Sequence, residues 1–440
     1  MIRFVLAVVA EIALCAALHR YDDWTLEQMP AKFVGCALLA GIAFFVGASQ
    51  FPIPLSPRRQ AIIFWGVAIT LRLVALPLPP GDDIWRYQWE GRIQHAGFNP
   101  YIVAPNDDRL EPLRASFADW PKINHLDFAA IYPPGAELIF NALSRISDST
   151  WLYKILFAAA DLATAAVLLK LIGGNRRFAD AAWYAWNPLV VYSFAGAAHF
   201  DSLMLLPMMG GILFLQKHET ALTPPERWRW AIAAALCFGA AISVKLVPVF
   251  LLLLGLFSLG RRAFALIVSV VLPASLALFY GFPRVPIFDS LRRFAYVTRL
   301  NDLFWWLIEE TVWPNPRQKN YHYNVVLIGC VVVVSLVFIR NWRRGMLWVL
   351  GAVLILSPVL HPWYCTWILP LAAWRRAVAW QVLSITLFVY FLFWNERLFA
   401  LPWHTEPWQR AIIVIPPLTA LAMIAWRKRN SAPPAEVVAS

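Results

Sequence analysis

Charged residues are scarce in this sequence. Only 15% of the 440 residues are charged, whereas a soluble domain carries roughly 25%. The remainder is strongly apolar, with 60% hydrophobic residues and a mean hydropathy of +0.58. Strong alternation of polar and apolar residues is also lacking, which argues against a transmembrane β-barrel. These shortages exclude an ordinary soluble domain and predict a chain that crosses lipid as helices.

Cysteine is scarce too, and its spacing does not indicate a metal site. The 5 cysteines lie in or beside apolar segments without close pairing, so we interpret them as packing residues. The formal net charge is +12, yet no basic face with interleaved aromatic residues occurs at helical spacing. We therefore expect no nucleic-acid partner and attribute the excess of basic residues to the cytoplasmic bias of membrane proteins.

Apolar runs recur along the whole chain, and several approach the ~20 residues that span hydrocarbon. They are 2–18, 31–50, 60–78, 151–171, 180–198, 201–216, 230–259, 263–282, 323–339, 346–374, 377–394 and 408–426. Two of them are interrupted, near Lys245 and near His361, and we interpret each as a hairpin of half-helices with its tip in a polar cavity. The predicted fold is an all-α, polytopic transmembrane bundle of about 12 to 14 helices, counting half-helices.

We interpret residues 1–428 as a single polytopic membrane domain and 429–440 as a cytoplasmic tail. Basic clusters between the apolar runs fall on one side of the bundle if both interrupted runs are hairpins, and the positive-inside rule makes that side cytoplasmic. The segments 79–134 and 283–322 then lie outside. The apolar piece 135–147 is either a re-entrant helix or a separate crossing, and the charge count favours the re-entrant helix.

The outer segment 79–134 opens with two adjacent carboxylates, Asp82 and Asp83, directly after the proline-rich end of an apolar run. A helix that starts here places Asp82, Arg86 and Glu90 along one face. In the simpler interpretation, Asp82 caps this helix and Asp83 is a first-turn acid favoured by the helix dipole. The position at a membrane boundary, where desolvation raises the pKa of a carboxylate, favours a catalytic base instead.

Polar residues from distant apolar segments converge on the same predicted outer face. They are His199, Asp201, Lys245, His361 and Tyr364. Ionisable residues within membrane segments are costly and are therefore candidates for function. For any one of them alone, capping or pairing is as good an explanation as chemistry, but their convergence favours a site.

The outer segment 283–322 combines arginines with large apolar side chains. This composition is typical of a helix that lies in the interface plane. One interpretation is a simple membrane-surface helix, and the other is a cationic clamp over an anionic lipid head group.

Several short motifs resemble those of one enzyme superfamily. They are Asp82-Asp83 with Arg86-Tyr87, Gly97-Phe98-Asn99-Pro100-Tyr101, Tyr132-Pro133-Pro134, Asn187-Pro188-Leu189, Ala198-His199-Phe200-Asp201, Lys245 and His361-Pro362-Trp363-Tyr364. In order and sidedness they are similar to the outer-face motifs of GT-C glycosyltransferases, and the second signature resembles that of bacterial α-mannosyltransferases. The resemblance covers roughly residues 60–375. Enzymes that use polyprenyl-phosphate mannose, including the first mannosyltransferase of GPI-anchor synthesis, are the nearest in pattern.

The resemblance implies an inverting transfer from a sugar on a polyprenyl phosphate to a glycolipid or glycan acceptor. The reaction would take place at the outer, periplasmic face of a bacterial inner membrane, among membrane lipids. An acid of the first outer loop would be the base, and because this chain has Asp82 beside Asp83 the choice between them stays open. Family members with monophosphate donors usually need no metal, so we expect no cofactor, although a divalent metal is compatible with these acids.

The chemistry of glycosyl transfer assigns roles to these residues. An acceptor hydroxyl needs a base, and a leaving phosphate needs cations or N–H donors. The candidate bases are Asp82 and Asp83. The candidate residues for contact with the donor phosphate are Arg86, Lys245 and His361. The candidate residues for binding the sugar or the acceptor are Glu90, His199, Asp201 and Tyr364.

The rival interpretation is a multi-pass transporter or a flippase for lipid-linked sugars, since carriers also have broken helices and buried ionisable residues. Two features count against it. The sequence shows no convincing internal repeat, and a carrier has little need for an acidic outer loop of this length. A weaker third interpretation is a non-catalytic assembly subunit, which predicts that the loop acids can be replaced without consequence.

Overall fold

The computed structural model of the protein describes residues 1–51, 54–257, 259, 262–315, 319–394 and 405–430. Within these residues the protein is all-α, as predicted, and the β-pairing found there is an isolated parallel bridge between Leu300 and Val359. The predicted cytoplasmic tail 429–440 lies outside the described residues from 431 onward.

The helices of the first half follow the predicted apolar runs closely. They are α1 (Ile2–Ala17), α2 (Met29–Gln50), α3 (Pro57–Ala75), α4 (Asp83–His95), α5 (Glu111–Ala115), α6 (Pro134–Ile146), α7 (Thr150–Ile172), α8 (Arg177–Ala185), α9 (Pro188–Val191), α10 (Asp201–Thr220) and α11 (Pro224–Val244). A single π-helical turn, Tyr192–Gly196, follows α9.

The helices of the second half are shorter and are joined by longer irregular segments. They are α12 (Val249–Phe257), α13 (Arg262–Phe279), α14 (Asp289–Val297), α15 (Trp305–Thr311), α16 (Tyr321–Val337), α17 (Trp342–Leu356), α18 (Leu369–Arg375), α19 (Val378–Thr386) and α20 (Pro407–Asn430). Two 3₁₀ segments, Pro362–Trp367 and Leu387–Phe393, precede α18 and follow α19.

Among the described residues, four helices are long and apolar enough to cross a membrane. They are Ile2–Arg20, Met29–Gln50, Thr150–Ile172 and Pro407–Arg427. Shorter apolar helices are Phe264–Phe279, Tyr321–Val337 and Val378–Phe393. The protein is therefore an integral membrane protein in which many apolar segments are broken, and the predicted total of 12 to 14 helices stays a prediction.

The breaks lie where polar residues and proline interrupt the apolar runs. Helix α11 ends at Val244 and α12 begins at Val249, so Lys245 lies in an irregular turn. Helix α17 ends at Leu356, and the next helical turn begins at Pro362. A further break splits the run 180–198, because the Asn187 side chain accepts hydrogen bonds from the backbone N–H groups that start α9 and Pro188 follows it.

The piece predicted as 135–147 forms α6, which has 13 residues. At 1.5 Å per residue it is about 20 Å long, shorter than the ~30 Å of hydrocarbon in a bilayer. It packs tightly on α4 through Gly91, where a Cβ atom would lie 2.4 Å from the carbonyl oxygen of Phe140. Helix α4 therefore packs directly against the short helix α6. The re-entrant interpretation of α6 stays a prediction.

An aromatic cluster packs against the first turns of α4. The rings of Tyr87 and Phe140 stack with their centroids 4.7 Å apart. Phe200 contacts Tyr87 and Tyr132 edge-on, at 5.2 and 5.1 Å. Since Phe200 is the neighbour of His199 and Asp201 in the chain, this packing brings the two polar motifs together.

Deep in the bundle, a buried ion pair joins α3 to α7 and α8. The Arg72 guanidinium donates to Asp161 Oδ2 through Nε at 2.9 Å and Nη2 at 2.7 Å. Its Nη1 donates to the carbonyl oxygens of Ala68 and Ala185, and the Tyr184 hydroxyl donates to Asp161 Oδ1 at 2.7 Å. We call Arg72, Asp161 and Tyr184 the bundle cluster; it fixes how these helices pack.

Candidate active site

A cavity of about 670 Å³ opens among the predicted outer-face segments. Its walls come from the first outer loop, the turn after α9, both helix breaks and the segment that follows α14. The predicted site residues that line it are Asp82, Asp83, Arg86, His199, Lys245, His361 and Tyr364. Glu90 and Asp201 lie one layer behind the wall, Glu90 bonded to Arg86 and Asp201 to Lys245. The fold thus brings residues from positions 82 to 364 into one place.

Asp83 is the better anchored of the two adjacent acids. Its Oδ1 accepts a hydrogen bond from the Asn124 side-chain amide at 2.9 Å. The Tyr87 hydroxyl and Nδ1 of His199 each lie 3.5 Å from its Oδ2. Burial by itself would raise the pKa of Asp83, but the interactions with His199 and Asn124 outweigh it and hold the pKa below its usual range. Asp83 is therefore an ionised carboxylate at the cavity wall, and the raised pKa expected from desolvation is not found for this residue.

Asp82 precedes the first residue of α4, in the N-cap position. Its side chain makes no capping hydrogen bond to the backbone of this helix, and the residue lines the cavity. Capping therefore does not explain why an acid is present at this position.

Arg86 points its guanidinium into the first outer loop. Its Nε donates to Glu90 at 2.7 Å. Its two terminal nitrogens donate to four backbone carbonyl oxygens at 2.5–3.2 Å, those of Asn124, His125, Phe128 and Ala129. With every guanidinium nitrogen engaged, the geometry gives Arg86 the task of holding the loop 124–129, and contact with a phosphate stays a prediction.

Lys245 occupies a cage of aromatic rings beside an acid. Its ammonium group lies 2.5 Å from Asp201 Oδ1 and about 5 Å from the ring centroids of Phe200, Tyr364 and Trp367. The Trp367 indole N–H donates to the same oxygen of Asp201 at 2.6 Å. These contacts hold the lysine in place, and its ammonium group lines the cavity.

His199 and His361 enclose an indole ring between them. The ring centroid of Trp363 lies 3.7 Å from that of His199 and 4.2 Å from that of His361, and the three rings are nearly parallel. Nδ1 of His361 lies 2.9 Å from the hydroxyl of Tyr390. Burial lowers the pKa of His361 to about 3, so this imidazole is neutral and can offer an N–H but no charge near pH 7.

Many lining residues were not among the predicted site residues, and Asn124, Trp363 and Arg299 are three of them. Trp363 was within reach of the sequence, because it lies inside the His361–Tyr364 motif. Asn124 carries no signal, since its loop has no periodic pattern. Arg299 belongs to the outer segment 283–322, whose arginines the sequence offered only as a group.

Arg299 is carried to the cavity by a backbone contact with the second helix break. The N–H of Leu300 donates to the carbonyl oxygen of Pro358 at 3.0 Å, and the N–H of Leu360 donates to that of Leu300 at 2.8 Å. The guanidinium is bonded to Asp302 at 3.0 Å and to Glu309. This part of the outer segment therefore forms a wall of the cavity, and the placement of the whole segment in the interface plane stays a prediction.

The remaining wall is aromatic and apolar. It contains Trp24, Tyr192, Phe391, Phe393 and Trp394. Trp24 stacks on Trp394 and Phe391, with centroids 5.5 and 6.0 Å apart. The cavity thus has a polar side, with acids and cations, and an apolar side lined by rings. In the described part of the chain, no three His, Cys, Asp or Glu side chains are grouped to hold a metal ion.

A membrane-embedded bundle with an ionised carboxylate, a caged lysine and an apolar wall in one cavity has the parts of a group-transfer enzyme. The family model described as alpha-(1→6)-mannopyranosyltransferase, N-terminal domain, matches residues 8–259. Because this match covers more than half of the chain, the chain belongs to that family. It is a hexosyltransferase, which confirms the enzyme prediction and the resemblance to mannosyltransferases over the transporter alternative.

One solved structure is similar to this chain at low identity: the crystal structure of ArnT from Cupriavidus metallidurans bound to undecaprenyl phosphate. The TM-score is 0.46 with 14% sequence identity, and the match covers 85% of this chain and 73% of that one. The likeness is too distant to support a functional argument. No curated protein matches the chain.

Proposed function

We propose that this protein transfers a hexose, most simply mannose, from a polyprenyl-phosphate donor to a hydroxyl group of a glycolipid or glycan. The transfer inverts the anomeric carbon and takes place at the outer face of a bacterial inner membrane. One observation carries the proposal: a single cavity contains the ionised carboxylate of Asp83, the ammonium group of Lys245 and an aromatic wall. The family match supports mannose as the sugar.

The proposed reaction is a single displacement with Asp83 as the general base. Asp83 takes the proton of the acceptor hydroxyl while that oxygen forms a bond to the anomeric carbon of the donor. The bond from this carbon to the phosphate oxygen breaks on the opposite face, and the polyprenyl phosphate leaves with the electron pair. Lys245 stabilises the charge that develops on the phosphate, and the neutral His361 can donate an N–H to it.

The aromatic wall supports a lipid-linked donor. Trp24, Phe391 and Trp394 form an apolar surface that continues from the polar part of the cavity. A polyprenyl chain needs such a surface, because it must leave the cavity into the bilayer. A water-soluble nucleotide sugar would have no use for it.

The other predicted residues have supporting roles in this proposal. His199 and Tyr364 face the cavity and are placed to contact the sugar or the acceptor. Asp201 holds Lys245, and Glu90 holds Arg86, so these two acids act through a lining residue. Direct contact of Glu90, Asp201 or Arg86 with a substrate stays a prediction from the sequence.

The test is a transfer assay on purified protein in nanodiscs. Radiolabelled polyprenyl-phosphate mannose is offered with a membrane lipid extract as the acceptor pool. Wild type is compared with the double variant Asp82→Asn/Asp83→Asn and with Asp108→Asn, which removes a fully exposed acid of the same loop. We expect label in a new product with wild type and Asp108→Asn only.

Each other result has a defined meaning. Equal transfer by the double variant would keep the enzyme and remove the base from the first loop. Failure of wild type with mannose and with other hexoses on the same carrier would overturn the proposed donor class.

A further inference from the structure

The segment 124–129 of the first outer loop has no regular secondary structure, yet one buried side chain determines its course. Arg86 is 3% exposed and donates to four carbonyl oxygens of this segment. Glu90, which is 2% exposed, accepts from the remaining nitrogen at 2.7 Å and balances the charge. The buried Arg86–Glu90 ion pair on α4 thus holds the backbone of segment 124–129 in place.

This arrangement carries the side chain of Asn124 to Asp83. The two residues are far apart in the chain, but the Asn124 amide nitrogen lies 2.9 Å from Asp83 Oδ1. Both ends of the contact start from α4, since Asp83 is its first residue and Arg86 lies one turn further along. The loop therefore returns to the helix that anchors it and reaches the acid at its N-terminus.

The two oxygens of Asp83 have unequal surroundings. Oδ1 has a hydrogen bond of ordinary length to Asn124. Oδ2 has only long contacts: the Tyr87 hydroxyl donates to it at 3.5 Å and His199 Nδ1 lies at 3.5 Å. Both distances exceed the ordinary ranges of about 2.5–3.0 Å for O–H···O and about 2.7–3.2 Å for N–H···O hydrogen bonds. Oδ2 is therefore the oxygen with capacity to accept a proton.

We propose that Asn124 is a positioning residue for the general base: its amide fixes Oδ1 of Asp83 so that Oδ2 meets the acceptor hydroxyl. Arg86 and Glu90 maintain this contact by holding the loop that carries Asn124. The inference rests on the proposed function, because it takes Asp83 as the base. Asn124 itself does not touch the reacting atoms.

A double-mutant cycle tests whether Asn124 acts through Asp83. A hydrogen bond to an ionised carboxylate is strong, so Asn124→Ala should lower kcat by about 10- to 100-fold with little change in the KM of either substrate. In an Asp83→Asn background, the same Asn124→Ala change should lower the residual kcat by less than about 2-fold, since the group it positions is gone. Asp108→Ala, which removes a fully exposed polar side chain of the same loop, is the control.

A second variant tests the contact by its charge. Asn124→Asp places a like charge against Asp83 and should raise its pKa, so that activity on acidification is lost at a higher pH than in wild type. If Asn124 had only a structural role, Asn124→Asp would lower activity at all pH values without changing the pH at which activity is lost on acidification.

The outcomes separate this inference from the proposed function. An equal fold-loss for Asn124→Ala in both backgrounds, or no loss in the wild-type background, would overturn the positioning role while leaving the base assignment intact. Normal transfer by Asp83→Asn would overturn the base assignment and the inference with it. Asn124→Ala protein that melts at the wild-type temperature would show that the loss is not one of folding.

Discussion

Two clusters of buried charged residues in this protein differ in how many of their polar atoms have a hydrogen-bond partner. In the bundle cluster, each guanidinium nitrogen of Arg72 donates and both carboxylate oxygens of Asp161 accept. In the cavity, Oδ2 of Asp201 and Nδ1 of His199 are buried without a hydrogen-bond partner among the described residues. We call Asp83, His199, Asp201 and Lys245 the cavity cluster.

Under the proposed function, this difference separates charges that hold helices together from charges that act on a substrate. A buried polar group without a partner costs free energy, so proteins rarely retain one without a reason. The bundle cluster is closed and can accept nothing more. In the cavity cluster, the unpartnered Nδ1 belongs to His199, which lines the cavity where a substrate would bind, while the unpartnered Asp201 Oδ2 lies behind the wall. For these two clusters, the hydrogen bonds distinguish the helix-packing contact from the cavity, although unpartnered buried atoms also occur elsewhere, as at Glu11.

The largest effect should come from the base. Asp83→Asn keeps the size of the side chain but removes the proton acceptor, and general base catalysis is worth about 10²–10⁴ in rate. We expect kcat to fall by about 10³-fold, while Asp82→Asn has a smaller effect because Asp83 is the acid held by Asn124. The measurement compares the transfer rates of Asp83→Asn and Asp82→Asn with that of wild type at a saturating donor concentration. A larger loss in Asp82→Asn would exchange the two assignments.

The bundle cluster should matter for stability alone. Arg72→Met leaves Asp161 buried and unpaired, which should destabilise the protein by about 3–5 kcal/mol. Adding Asp161→Leu removes the unpaired charge and should restore most of that stability. Thermal unfolding in detergent measures both changes, and transfer per folded molecule should equal that of wild type. A loss of specific activity in the stable double variant would give the bundle cluster a role in catalysis.

The same design applied to the cavity cluster should give the opposite result. Lys245→Met leaves Asp201 unpaired, and adding Asp201→Leu should restore stability. Transfer should stay about 10²-fold below wild type in both variants, because the cation beside the leaving phosphate is gone. Recovery of activity together with stability would show that Lys245 is structural, like Arg72.

The smallest effect concerns pH and His361. Burial lowers its pKa to about 3 in the folded protein, against about 6.5 in an unfolded chain. Its contribution to stability is therefore full above pH 6.5 and is lost as the pH falls toward 3, because the unfolded chain then binds the proton more readily. We expect His361→Gln to reduce the fall in melting temperature between pH 6.5 and 4.5. An unchanged fall would mean that His361 is protonated in the folded protein.

Much of the fold could be predicted because its signals are local. The break at Lys245 and the break before Pro362 follow from single residues that helices in lipid do not tolerate. The start of α9 at Asn187 and Pro188 has a local cause, because Asn is favoured at the N-cap and Pro at the first helical position. The convergence of His199, Lys245 and His361 could be predicted only as a shared side of the membrane, without distances.

The rest required contacts between distant parts of the chain. Arg86 was predicted as a phosphate ligand from its charge and its place on α4, yet its donors are used by a loop about forty residues later. Asn124 belongs to that loop and has no pattern of its own. Arg299 lines the cavity because its neighbour Leu300 bonds to the second helix break, a pairing that leaves no mark in either segment.

The sequence by itself determined that this protein is a helical membrane protein, where two of its apolar runs are interrupted, and that acids and cations from distant segments come together. These properties follow from hydrophobicity, proline and charge, which act over a few residues. The tertiary structure alone decided which charges are closed off and which remain available to a substrate. That choice depends on hydrogen-bond distances between residues far apart in the chain, and such distances exist only once the helices have packed.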